Sequence, residues 1–181
     1  MNTGPILVIG QLMTDVIARV EHPIAIASDT RARITMRPGG AGGNVAAWLA
    51  RLGADVTLIA CVGQDPLGGA MEEDLRERGV TTRFATGGAA TGSVVVLVDQ
   101  EGERTMLPDA SANSALASSH LAADDFRRCR HLHLSGYVLF DPESRAAGRA
   151  ALGMAREARH DRLDRPGVGR PHRPVRDVGL S

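Results

Sequence analysis

Pro38-Gly39-Gly40-Ala41-Gly42-Gly43-Asn44-Val45-Ala46 is the stretch around which this chain is organised. Its four glycines surround a single alanine and leave little side chain between a ligand and the backbone. Asn44 stands where a helix N-cap or a ligand-facing amide is useful. Alone, the stretch reads equally as a flexible turn or a ligand loop, and its flanks favour the ligand loop. Downstream, residues 45–52 have the apolar pattern of a helix, with Trp48, Leu49 and Leu52, and Gly53 closes it as a C-cap. Upstream, residues 31–38 alternate polar and apolar side chains, as in a half-exposed strand.

Further out, Ile6-Leu7-Val8-Ile9-Gly10 reads as a buried strand ending in glycine. Asp15 follows just past that strand, where a carboxylate accepts hydrogen bonds from ligand hydroxyls or closes an Asx-turn. Residues 56–63 form a second buried strand. Asp65-Pro66 opens a helix with an N-cap and a first-position proline, and Gly79 ends it. Glu72, Glu73 and Asp74 are placed near its positive end and Arg76 and Arg78 near its negative end, a solvated face rather than a site. Residues 91–98 and 103–107 make a hairpin about Gln100-Glu101-Gly102. Residues 109–113 are a small-residue loop and 121–126 a helix. His131-Leu132-His133-Leu134-Ser135-Gly136 is a third core strand, and Asp141-Pro142 opens a helix to about Ala158. Strands alternating with helices imply a parallel α/β sheet, with the polar hairpin segments as an appendage.

The bulk numbers narrow the class. A chain of 181 residues, 43% of them hydrophobic, can bury a core, and a net charge of zero gives no argument for nucleic acid or an anionic membrane. There is no lysine, which excludes a Walker A phosphate loop. Cys61 and Cys129 are expected as free thiols. Neither a signal peptide nor a membrane-spanning run is legible, so the cytoplasm is the expected compartment.

Together these residues resemble the ribokinase-like, or PfkB, family of carbohydrate kinases from Ile6 to about Ala158. The ordered motifs carry the likeness. They are the first strand with Gly10 and Asp15, the glycine stretch with Leu52-Gly53, Val62-Gly63-Gln64-Asp65-Pro66-Leu67-Gly68, Thr91-Gly92 through Gly102-Glu103-Arg104-Thr105 with Ala112-Asn113, and Leu134-Ser135-Gly136-Tyr137. The resemblance implies a three-layer α/β/α sandwich with a small β-sheet lid. It implies ATP-dependent phosphorylation of a sugar or nucleoside hydroxyl, with Mg2+, and a possible homodimer through the lid. It places Asp15, Gly39, Gly40, Ala41, Gly42, Asn44, Ser135 and Gly136 at the substrate, and Arg104 and Met106 on the lid. Pro108 and Ala110 stand where kinases of keto-sugar acids carry tyrosine and arginine, which favours ribose, fructose-like sugars or a nucleoside.

The departure is equally plain. The family's Asp-Thr-x-Gly-Ala-Gly-Asp signature, which supplies the general base and an anion hole, does not occur in these residues, nor does its Asn-x-x-Glu stretch. The expectation is therefore the N-terminal part of the fold over 1–158, with the C-terminal half missing. The catalytic residues and the ATP and Mg2+ binding segments are absent with it, leaving an inactive fragment. Residues 159–181, rich in arginine and proline, read as a non-homologous tail. GC-rich codons chosen for residues 159–174 and read one base later give Gly-Met-Thr-Val-Ser-Thr-Asp-Pro-Ala-Ser-Val-Gly-Pro-Ile-Asp, which suggests a frameshift. Rival readings are a sugar-binding or oligomerisation module without catalysis, and a dinucleotide-binding Rossmann domain using Gly40-x-Gly42 and Asp65. His131 and His133 share a strand face, but two histidines make no metal site without further ligands.

Overall fold

The computed structural model describes residues 4–163, which contain two four-stranded sheets. The first is parallel, in the order β5-β4-β1-β8, from β1 (Ile6–Ile9), β4 (Val56–Gly63), β5 (Val80–Gly87) and β8 (His131–Leu134). Leu7, Val8 and Ile9 of β1, and Val56, Leu58, Ile59 and Ala60 of β4, are wholly buried. Such unbroken apolar runs are what a strand covered on both faces requires. The cover comes from α1 (Ala41–Arg51) and α2 (Pro66–Glu77) on one face, where Val8, Leu58, Ala46, Met71 and Leu75 share a cluster. On the other face α3 (Ala123–Arg128), α4 (Gly136–Phe140) and α5 (Arg145–Leu163) pack around Leu7, Ile9, Ile59 and Phe126. Cys61 and Cys129 are buried free thiols in that second cluster, and burial pushes the Cys61 thiol up.

The second sheet is the appendage, ordered β3-β2-β6-β7, from β2 (Met13–Val20), β3 (Ala32–Gly39), β6 (Ser93–Val98) and β7 (Arg104–Asp109). β2–β3 and β6–β7 are antiparallel, and β2–β6 is parallel. The fold is therefore the expected three-layer α/β sandwich with a small separate sheet.

Several local expectations are corrected. Asp15 lies inside β2 rather than in a turn after β1. The helix placed at 45–52 begins at Ala41, so Gly42 and Gly43 belong to its first turn. β3 is exposed along its length except at Gly39, not half-buried. β5 went unread because its threonines and Arg83 blur any apolar period. Glu72 and Asp74 lie mid-helix in α2 and pair with Arg76 and Arg78 at i,i+4, which keeps them on a solvated face. Residues 111–115 and 118–120 form 3-10 turns. α5 starts at Arg145 rather than at Asp141-Pro142, because Asp141 spends its Oδ1 on the Glu143 N–H in a turn. It runs to Leu163, past Ala158. Residues 164–181, the bulk of the expected tail, lie outside the described residues.

Candidate functional site

The parallel sheet has one point where its winding reverses. From β1 the chain moves to β4 and then β5 on one side, and β8 pairs with β1 on the other. Ligands of open α/β sheets bind at the carboxyl ends of the strands flanking such a reversal. Here those ends are Gly10 and Ser135. The Ser135 N–H donates to the Ile9 carbonyl at 2.9 Å, so the two ends run side by side.

The glycine stretch packs onto this point. A Cβ on Gly42 would lie 2.7 Å from the Gly10 carbonyl carbon, and a Cβ on Gly10 would meet the Ser135 Cβ at 3.0 Å. Gly10, Gly42 and Ser135 therefore converge because two of them lack side chains. Gly40 occupies the N-cap of α1 at φ 85° and ψ 147°, and a Cβ there would stand 2.6 Å from the Gln11 carbonyl oxygen. Only glycine adopts that backbone without strain. This corrects the reading of Asn44 as N-cap: Gly40 holds that position, and Asn44 is exposed one turn inside the helix.

Asp15 is brought to the same place from β2. Its carboxylate lies over Gly39, where a Cβ would be 2.3 Å from Oδ1 and 2.5 Å from Oδ2. Burial raises its pKa above the ordinary carboxyl value. A half-buried carboxylate beside bare backbone is an acceptor that sugar hydroxyls can serve. The register places both expected lid residues on Asp15's face. Met106 pairs with Val96, which pairs with Ile17; Arg104 pairs with Val98, which pairs with Arg19. Residues two apart on a strand share a face, so Ile17 and Arg19 follow Asp15. Met106 and Arg104 thus lie two strands away and one and two steps outward.

The remaining candidates divide. Ala41 sits in the first turn of α1, and Gly136 is exposed at the start of α4. Asn44 lines a cleft of about 280 Å³ with Leu12, Gly39, Gly43, Asp74 and Arg78, and that cleft does not include Asp15. Arg37, directly opposite Asp15 across β2–β3, borders it.

Two motif residues, Asn113 and Thr91, have supporting roles that the sequence did not assign to them. Asn113 is buried: its Oδ1 accepts from the Leu12 N–H at 2.9 Å, and its Nδ2 donates to the Leu12 carbonyl at 2.9 Å and the Ala110 carbonyl at 3.1 Å. It fixes the link between β1 and β2, and so the placing of Asp15. Thr91 accepts from the Gly63 N–H at 3.0 Å and donates to Asp65 at 2.8 Å. Asp65 also caps α2 by accepting from the Gly68 N–H at 2.9 Å, and these bonds, led by the Thr91 N–H, hold its carboxyl below the ordinary range. In the sequence both are visible only as members of the Thr91-Gly92 and Ala112-Asn113 motifs, with no sign of what they bond to.

The Gly42 and Gly43 amides at the start of α1 both donate to the Gln11 carbonyl, at 3.0 and 3.3 Å, and are not free for phosphate. No group of three or more His, Cys, Asp or Glu side chains is placed to hold a metal among the described residues, and no described helix is long and apolar enough to cross a membrane. His131 and His133 lie on β8, an edge of the described sheet.

Residues 5–166 match the sequence model of the pfkB family carbohydrate kinase. The chain belongs to this family. It is 32% identical over 157 residues to a fructokinase of Klebsiella pneumoniae, covering 86% of this chain and 48% of that protein. A ribokinase of Mus musculus is 30% identical over 162 residues, covering 87% and 49%. Among solved structures, the adenosine kinase from Sinorhizobium meliloti superposes with a TM-score of 0.74 at 24% identity, covering 86% of this chain and 54% of that one. Fructokinase from Xylella fastidiosa with bound ATP gives 0.73 at 23% identity, covering 86% and 49%. The pfkB-family chain thus spans about half the length of the curated relatives it matches.

Proposed function

We propose that this chain carries the sugar-binding half of a pfkB-type kinase. The observation that carries the reading is the Asp15 carboxylate, half-buried and seated on Gly39 beside the winding reversal of the sheet. Asp15 accepts substrate hydroxyls, the Gly40–Gly42 backbone permits close approach, Ser135 and Gly136 border the pocket, and Arg104 and Met106 cover it from the lid. Asn44 contributes its exposed amide from the adjoining cleft on α1, which Gly39 also lines. The matching fructokinase and ribokinase support a small sugar as substrate.

ATP-dependent transfer to a sugar hydroxyl belongs to the whole protein in this reading. These 181 residues contain no Asp-Thr-x-Gly-Ala-Gly-Asp segment. Positioning without a base and a nucleotide clamp does not move phosphate at a useful rate. The chain alone is therefore a binder, not a kinase. Calorimetric titration with fructose, ribose and adenosine, alongside a coupled ATPase assay, tests both halves. Saturable binding lost in Asp15→Asn, without turnover, is expected. Turnover by the pure chain contradicts the second half, and absence of any sugar binding contradicts the first.

A lid-mediated homodimer is part of the reading. Ile34, Met36, Val95 and Leu107 lie on the face opposite Asp15 and are 63%, 59%, 38% and 54% exposed. An apolar sheet face of this kind favours a partner over water. Sedimentation velocity on wild type and Ile34→Asp is expected to show a dimer and a monomer; a wild-type monomer at high concentration refutes it. For the tail from 159 we keep the shifted-frame reading, which sequencing the coding DNA decides.

A further inference from the structure

The inner face of the lid sheet is unusually basic, and this bears on the substrate. Arg19 on β2 stands directly opposite Arg33 on β3, and Arg37 stands opposite Asp15 on the same face. With Ile17 and Thr35, these three arginines line a cleft of about 310 Å³. Arg104 continues the Arg33–Arg19 row on β7 through its pairing with Val98. Like charges directly opposite on paired strands destabilise a sheet. None of these four arginines has an ion-pair partner among the described residues, and Asp15 is the only carboxylate on its stretch of the β2–β3 face. A neutral sugar needs acceptors and donors, which Asp15 and the backbone supply, but it does not need three convergent guanidinium groups. An anion does: planar, multidentate donors are the arrangement that recognises phosphate and carboxylate.

The geometry points to a substrate that is itself anionic: a sugar bearing a phosphate ester or a carboxylate, held by Arg19, Arg33 and Arg37 while its hydroxyls face Asp15. The proposal rests on the sugar-kinase reading and adds the charge. The rows of the sheet suit it. Arg37 lies beside Asp15, and the Arg19–Arg33 pair lies four residues farther along, about 13 Å at the rise of a strand. All three arginines border the one cleft, with Ile17 and Thr35 between the two ends of that span. The anion then sits beyond the ring and away from Asp15, which avoids repulsion between the two. The residues at 108 and 110, proline and alanine, do not supply this site; β2 and β3 do.

The test is calorimetric titration of the full 181-residue chain with fructose, fructose 6-phosphate, gluconate, inorganic phosphate and ATP, repeated on Arg19→Gln, Arg33→Gln and the double variant. Charge-assisted bonds of this kind lead us to expect fructose 6-phosphate or gluconate to bind at least about tenfold more tightly than fructose. Which of the two gains separates phosphate from carboxylate. The double variant should abolish that preference and leave fructose within about twofold, an operational margin well below one charge-assisted bond. A steep loss of affinity with added salt, for the anionic sugar and not for fructose, gives the same answer without any variant. Fructose binding as tightly as both anionic sugars, or an equal loss for fructose in the variants, overturns this inference and leaves the sugar reading intact. Competition by ATP at the same arginines, with an affinity matching the anionic sugar, overturns the assignment of the anion to the sugar. Failure of all three sugars to bind overturns both readings together.

Discussion

Replacing Gly39 and Gly42 in turn by alanine separates the site from the scaffold that holds it. At Gly39 the new Cβ falls 2.3 Å from Asp15 Oδ1, 2.4 Å from Cγ and 2.5 Å from Oδ2. Ordinary contact distances require the carboxylate to retreat by roughly 1 Å. The carboxylate sits at the end of two soft torsions and can do so cheaply, and Gly39 lies outside the left-handed region, so alanine also restricts the unfolded chain. The net stability change should stay within about 1 kcal/mol. Sugar binding has no such escape. A hydrogen bond to a charged acceptor contributes about 1.5–3 kcal/mol, so its misplacement weakens binding roughly 10- to 150-fold. At Gly42 the same methyl meets backbone: 2.7 Å from the Gly10 carbonyl carbon, 2.8 Å from its Cα and 3.0 Å from its oxygen. Neither partner can rotate away, and overpacking of this kind costs about 1–3 kcal/mol. Urea denaturation and fructose titration on the two variants give the comparison. The reasoning is refuted if folded Gly39→Ala binds fructose within twofold of wild type, or if it loses as much stability as Gly42→Ala.

Three further substitutions follow from the same contacts. Asn113→Ala strands the buried N–H and C=O of Leu12 and should cost about 2–4 kcal/mol in urea denaturation; a cost under 1 kcal/mol means water replaces the amide. Asp65→Ala loses the α2 cap and should cost about 1–2 kcal/mol at neutral pH. Because the folded state holds the Asp65 carboxyl below its ordinary value, its contribution is complete above that ordinary value and is lost as pH falls through the lower folded pKa. The gap between wild type and variant should therefore close in strong acid, and a gap independent of pH contradicts the assignment. Asp15 has the opposite sign: its raised pKa means that charging it opposes folding as pH rises above 3.8. Asp15→Asn should therefore be more stable than wild type at neutral pH while binding sugar more weakly. Thermal unfolding at pH 3 and pH 7 checks the first half, and a variant less stable than wild type at pH 7 contradicts it.

The core strands were legible because β1 and β4 bury both faces, so their apolar runs have no competing explanation. The α2 start was legible because Asp65 and Pro66 act through local geometry alone. β5 was not, since an edge strand carrying Arg83 and three threonines owes its place to β4 rather than to its own pattern. The start of α1 was misread for a related reason. Glycines disfavour helix interiors, yet Gly42 and Gly43 are helical because Gly10 and Leu12 press against them, a tertiary contact no local rule contains. Asp15 and the glycine stretch were recognisable as site candidates from their residue types, and the seating of the carboxylate on Gly39 required the β2–β3 register. The arginine face required it too: residues 19, 33 and 37 look unrelated until β2 and β3 are aligned.

The account stands on sugar binding where the sheet reverses its winding. A two-dimensional amide NMR titration of the chain with fructose and with fructose 6-phosphate reads this directly. Saturable shifts at Asp15, Gly39, Gly40, Gly42, Ser135 and Gly136, with Arg19 and Arg33 joining for the phosphorylated sugar, are the predicted result. Shifts confined to other surfaces, or none at saturating sugar, contradict it.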